Sequence, residues 1–167
     1  MPYDKTVFAP LLEIVYTKPQ VEELVSQLEL VLTSLFNNKE SAIDVLGKFL
    51  SHDYKDKVML CADKSGTNIS DPSSLGDFLR LLIDNLKATK VVRIDLAFVP
   101  KDQQVAGISS WFLGNIKEKV FLDISIDRNL VGGVSLSYEG NFYEYSLKKK
   151  LEEKYKLGDF RALLKGN

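Results

Sequence analysis

Residues 61–67, CADKSGT, form the one stretch whose order of residue types imitates a catalytic signature. A carboxylate so placed could work as a nucleophile: Asp63 would attack a phosphoryl group and form an acyl phosphate. That chemistry also needs carboxylates to hold Mg²⁺, a lysine to bind phosphate and a domain to carry the nucleotide. No GDGxND-type acidic motif follows, and no Walker loop occurs. By composition alone, 63–71 (DKSGTNISD) is a solvated loop, because Asp63, Ser65, Gly66 and Asn68 favour local hydrogen bonding.

Cys61 follows Met59 and Leu60 in an apolar run and reads as a small buried hydrophobe, with no histidine or helix N-terminus beside it to activate the thiol. His52 stands between Ser51 and Asp53, but neighbours in sequence do not make a triad, and the expectation is a surface histidine at a helix end. These are the chain's single cysteine and single histidine. An intramolecular disulfide, a cysteine-rich zinc site and most histidine chemistry are thereby excluded. The balance leans away from an enzyme, with no catalytic residue, cofactor or metal expected.

Lys148, Lys149, Lys150 and Lys154 cluster near the end of the chain, but Glu152 and Glu153 interrupt them, so a solvated face is expected. Asn68-Ile69-Ser70 fits a glycosylation triplet that would be idle without secretion. Trp111 falls about a quarter turn from the centre of its helix's apolar stripe, at the edge of a core.

The 167 residues carry 22 Lys plus Arg against 23 Asp plus Glu, a net charge of −1, which argues against a nucleic-acid partner. Hydrophobic residues at 45% and aromatics at 10% argue against disorder. A chain of this length buries roughly 70% of its unfolded surface, enough for one good core or two small ones. No run approaches the ~18–20 apolar residues of a membrane span, and the N-terminal MPYDKTVFAPLL lacks a signal pattern. A soluble, reduced, intracellular protein is expected.

The elements that must position these residues fall into two sets. Val21, Leu24, Val25, Leu28, Leu32 and Leu35 recur at helical spacing over 19–36, with Pro19 in the first turn and Asn37-Asn38 as a stop. Val7 to Val15 predict a shorter helix that Pro10 either starts or kinks. A third helix is expected over 39–51, with Ile43, Leu46 and Leu50 inward; 57–62 reads as a strand or a helix end. Asp71-Pro72 caps a helix over 72–88 that buries Leu75, Phe78, Leu79, Leu82, Ile83 and Leu86.

From residue 90 the period changes to two. Val92, Ile94, Leu96 and Phe98 alternate with polar positions, as do Val120, Leu122, Ile124 and Ile126. Between these strands 102–116 reads as a helix burying Val105, Ile108, Phe112 and Ile116. VSLSY resumes a strand after Gly132-Gly133, and Glu139-Gly140-Asn141 marks a hairpin into Phe142-Tyr143-Glu144. Ser146 can cap a last helix carrying Leu147, Leu151 and Tyr155. The fold class is α+β: a shortened N-terminal helical bundle (1–88), a small β-α-β-β-β-α domain (90–157) and a C-terminal extension (158–167).

Residues 117–155 resemble the delta subunit of rotary (F-type) ATP synthase, the oligomycin-sensitivity-conferring protein family. VFLDISIDRNLVGGVSLSYEG fills the family's hallmark without a gap through Val120, Leu122, Ile126, Asp127, Leu130, Gly132, Gly133, Val134 and Leu136. EYSLKKKLEEK keeps Ser146, Leu147, Lys148, Lys150 and Leu151, and upstream VVRIDLAFVPKDQQ is similar to the strand and helix entrance that precede the motif. Ser137 stands where the family usually has a basic or amide residue, and about four helices are counted where the family has six. DKSGT separately resembles, with one substitution, the DKTGT loop of cation-pumping ATPases.

The delta resemblance implies a non-catalytic stator subunit of a proton-translocating ATP synthase. Its helical part would grip N-terminal segments of the alpha subunit, its C-terminal part the b-type stalk subunits, and together they would resist rotor torque. It further implies a chain that is monomeric on its own and cytoplasmic, reaching the inner face of the cell membrane only through the complex. On periodicity, Phe8, Leu12, Phe78 and Leu82 are expected to line the head-binding groove, and Leu147, Leu151, Tyr155, Phe160 and Leu164 to hold the stalk. The alternatives are a stand-alone adaptor with a delta-like C-terminal domain and an Asp63-dependent phosphotransfer enzyme.

Overall fold

The computed structural model of the chain describes residues 5–37, 40–116, 118–130, 132–147 and 149–150. A 3-10 turn over Lys5–Phe8 runs into a single α-helical turn, Ala9–Leu12 (α1), with Pro10 at its start, where a missing N–H leaves nothing unpaired. Thr17 and Gln20 then fix the beginning of Lys18–Asn37 (α2). The Gln20 Oε1 accepts the Thr17 amide at 3.0 Å, and the Gln20 amide donates to Thr17 Oγ1 at 3.4 Å, a reciprocal cap.

The region expected as one helix over 39–51 and an ambiguous 57–62 is instead two helices, Ala42–Phe49 (α3) and His52–Lys64 (α4). Leu50 breaks between them at φ −97°, ψ 143°, and the Ser51 hydroxyl accepts the Tyr54 amide to start the second. Two serines, Ser41 and Ser51, each supply a cap, which periodicity alone does not register. Ile43 consequently points outward, and Ala42, Val45 and Leu46 face the core. Pro72–Ala88 (α5) starts as expected: Asp71 accepts the amides of Ser73 and Ser74. Five α-helices, rather than about four, make up the N-terminal part among the described residues.

Thr89 and Lys90 lead directly into Val91–Leu96 (β1), followed by Asp102–Ile116 (α6), Phe121–Ile126 (β2), a 3-10 turn at Arg128–Leu130, Gly133–Tyr138 (β3) and Asn141–Ser146 (β4). The sheet order is β2-β1-β3-β4, with β1 parallel to β2 and the other pairs antiparallel. A parallel pair needs a crossover, and α6 supplies it. Glu139 (φ 48°) and Gly140 (φ 80°) both take positive torsions in the β3–β4 turn, the twist that a two-residue hairpin requires. The α+β class and the β-α-β-β-β order hold; the expected closing helix falls largely outside the described residues.

Among the described residues there are two apolar cores. One joins α1 to α5 through Leu11, Leu24, Leu28, Leu46, Leu75 and Leu79, among others. The second lies between α6 and one sheet face, where Phe112 meets Val92, Ile94, Leu96, Val120 and Leu122. Phe98, expected inward, is 50% exposed because β1 ends at Leu96, and Ile126 at the end of β2 is 42% exposed. Phe121 departs most from expectation: it occupies the polar face of β2 and is buried in the helical core.

Candidate functional site

The local geometry at Asp63 is that of a helix end. Asp63 and Lys64 are the last two residues of α4; the Gly66 amide donates to the Asp63 carbonyl and the Thr67 amide to the Ala62 carbonyl, both at 2.9 Å. With Gly66 at φ +72°, this is a Schellman cap, and CADKSGT is a helix stop. The negative end of a helix dipole opposes a phosphoryl group. Among the described residues no group of three or more His, Cys, Asp or Glu is placed to hold a metal ion. Cys61 is fully buried, and burial pushes its thiol up, away from reactivity. His52 opens α4 with 85% of its side chain exposed, 3.6 Å from Asp56.

The doubled-glycine hallmark builds a junction rather than a pocket. Asp127 accepts the Asn129 amide at 2.9 Å and so starts the 3-10 turn that buries Leu130. Gly132 accepts the Leu147 amide at 2.8 Å, which holds the end of β4 against the start of β3. Gly133, at φ +102°, lies so close to β4 that any Cβ would strike the Tyr145 carbonyl. Ser146 is fully buried; its hydroxyl accepts the Lys149 amide at 3.0 Å, the expected cap, and donates to Glu144. Asp127, Gly132, Gly133 and Ser146 therefore shape the connections into and out of the β3–β4 hairpin.

Across the opposite sheet face Asp95 on β1 binds the Ser125 hydroxyl of β2 and, at 3.0 Å, the Ser135 hydroxyl of β3. The Ser125 bond above all holds the Asp95 carboxyl below the ordinary carboxylate range, against the opposing effect of burial; Ser135 and Arg93 add to it. The sheet is thus stapled on its polar face as well as packed on its apolar one.

The expected head-binding side chains are mostly interior. Phe8, Phe78 and Leu82 are at most 2% exposed, with the two phenyl rings 6.0 Å apart, and only Leu12 is partly open. The apolar stripes that suggested a groove are satisfied within the chain: α1 packs on α4, α5 packs on α2, and Phe8 of the 3-10 turn meets Phe78. A surface partner therefore cannot reach three of the four without disturbing the core. Of the expected stalk-binding set, Leu147 is 47% exposed; Leu151, Tyr155, Phe160 and Leu164 lie outside the described residues.

The larger exposed apolar surface is one that the sequence reading passed over. The edge strand β4 presents Tyr143 and Tyr145 on the α6 side of the sheet and Phe142 on the other, at 47%, 60% and 62% exposure. Trp111, expected at a core edge, is 59% exposed and touches Phe112 edge-on. The signal lay in the hairpin's run of aromatics, Phe142, Tyr143 and Tyr145, which by strand alternation puts large rings on both faces of one strand.

The residues of this module also decide the kinship. The family model for the ATP synthase delta (OSCP) subunit matches residues 39–156. The chain belongs to the ATP synthase delta (OSCP) subunit family. The match takes in α3, α4 and α5 as well as the sheet, so the kinship reaches well upstream of the hallmark segment. No curated protein matches the chain. Delta (OSCP) subunits are structural, non-catalytic parts of the F-type ATP synthase, in its peripheral stalk or stator. They are associated with the membrane through that complex, and among the described residues no helix is long and apolar enough to cross a bilayer.

Proposed function

We propose that the chain ties the catalytic head of the ATP synthase to its b-type stalk and keeps the head from turning with the rotor. The family match across residues 39–156 carries this reading, because it spans helical part and sheet together. The helical part, 1–88, takes N-terminal segments of the alpha subunit; the sheet part, 90–157, takes the b-type subunits, and 158–167 extend it. The head contact starts from Leu12, the one residue of the expected four that reaches the surface, while Phe8, Phe78 and Leu82 support it from within. The stalk contact centres on β4 and Leu147, where exposed aromatics offer rigid apolar area to a partner helix. Leu151, Tyr155, Phe160 and Leu164 extend that contact. The chain is monomeric before assembly and works on the cytoplasmic side, at the inner face of the cell membrane.

Capture of the tagged chain from solubilised membranes tests the reading. Alpha, beta and b subunits should co-purify with it. Recovery of the chain with other partners and without the b subunits would leave it a stand-alone adaptor instead.

A further inference from the structure

Lys119 carries a charge into the seam where the helical part meets the sheet. Its Nζ lies 5.1 Å from the centre of the Tyr16 ring and 6.0 Å from that of Phe121. It donates to the Ser109 hydroxyl of α6 at 3.3 Å, and among the described residues no carboxylate pairs with it. The seam is built from several contacts. The Leu122 amide donates to the Tyr16 carbonyl at 2.9 Å, and Thr17 bridges Leu122 in parallel register. Lys18 pairs with Asp123 at 3.7 Å, and Phe121 enters the helical core. Residues 16–18 therefore lie along the outer edge of β2 as a short strap.

Among the described residues, the charged groups that join this seam are paired with one another. On α2, Lys18 serves both Glu22 and, on β2, Asp123; beside Lys119, Glu118 pairs with Lys90. The segment before α2 offers the Tyr16 phenol ring, and α6 offers only the Ser109 hydroxyl. An ammonium half withdrawn from water without a counter-ion is costly, and ring quadrupoles offset that cost only in part. Burial pushes the Lys119 amine down to about 8, whereas an exposed lysine titrates near ~10.4.

We propose that the strap of Tyr16, Thr17 and Lys18 on β2 is a proton-sensitive latch, closed on the neutral Lys119 amine and loosened when that amine is charged. Closing lowers the proton affinity of Lys119, so protons favour the open form. The closed form gains as pH rises through about 8 and stops gaining above the exposed-lysine value. Below about 8 both forms are charged and the latch is at its weakest. The latch does not depend on which partners the chain holds.

NMR on the full chain tests it directly. The Lys119 Cε resonance should titrate with a midpoint near 8. Protection of the Leu122 amide, corrected for base-catalysed exchange, should rise roughly tenfold between about pH 7 and about pH 9. Amides inside β1 and β3 should show no matching rise. Lys119→Met should give high protection at both pH values and Lys119→Arg low protection at both. A midpoint at the exposed-lysine value would overturn the latch, as would flat protection in the unaltered chain. So would a rise that persists in Lys119→Met or one shared equally by the whole sheet. If Lys119→Met does not fold, the wild-type titration and Lys119→Arg decide the question.

Discussion

Gly133 lies directly against the Tyr145 carbonyl oxygen, with its backbone at φ +102° and no room for a Cβ between them. Gly132, one residue earlier, has no positive torsion, and a Cβ there would make an ordinary contact of 3.7 Å with Leu147. The two halves of the doubled glycine are thus unequal. Gly133→Ala should destabilise the chain by about 3 kcal/mol, since torsional strain and a backbone collision add. Gly132→Ala should stay within about 0.5 kcal/mol. Urea denaturation of both variants checks the contrast, and equal losses would remove the structural distinction.

Gly66→Ala isolates the helix stop. Nothing lies within 4 Å of a Cβ at Gly66, so the cost is the left-handed torsion alone, about 1 kcal/mol. Asp63→Asn should be near neutral in stability. Incubation with labelled ATP and Mg²⁺ should leave no label at Asp63; acid-stable, Asp63-dependent labelling would contradict the cap assignment as the whole account of CADKSGT.

Asp95 makes stability depend on acid. Its folded carboxyl titrates below the unfolded one, so its contribution is complete above the unfolded value of about 3.9 and is lost as pH falls through the lower folded value. Asp95→Asn should cost about 1–3 kcal/mol near neutral pH, because the buried Ser135 hydroxyl loses a charged acceptor. The variant's urea midpoint should also vary less with pH on the acid side than that of the unaltered chain. Parallel acid limbs would show that other carboxylates dominate.

Tyr145→Ala separates surface from core. The side chain is 60% exposed, so stability should change by no more than about 0.5 kcal/mol. Binding to the b-type subunits should fall about tenfold or more if Tyr145 is an anchor. Titration calorimetry with the stalk subunits measures this, and unchanged affinity would move the stalk contact off β4.

Periodicity made most of the architecture legible. The stripes at Val21–Leu35 and Leu75–Leu86 and the alternation at Val92–Leu96 report one buried side each, and each forms the element it predicts. It failed where a residue serves two neighbours. Phe121 looks misplaced on the polar face of β2 because its pocket belongs to the helical core, more than thirty residues away in sequence from the nearest helix of that core. Phe8, Phe78 and Leu82 look like a groove because an apolar stripe has the same spacing whether a partner or the chain's own helices cover it. The break between α3 and α4 depends on Ser51 as a cap, which a count of apolar positions overlooks.

Because Phe121 is seated among the helices, the boundary in packing does not coincide with the boundary in sequence. An N-terminal fragment ending at residue 89 would lack that phenyl ring and carry a void at the base of α2 and α5, with instability of its own making. Fragment studies that treat the helices as self-sufficient would then attribute to lost partners a weakness caused by the scissors.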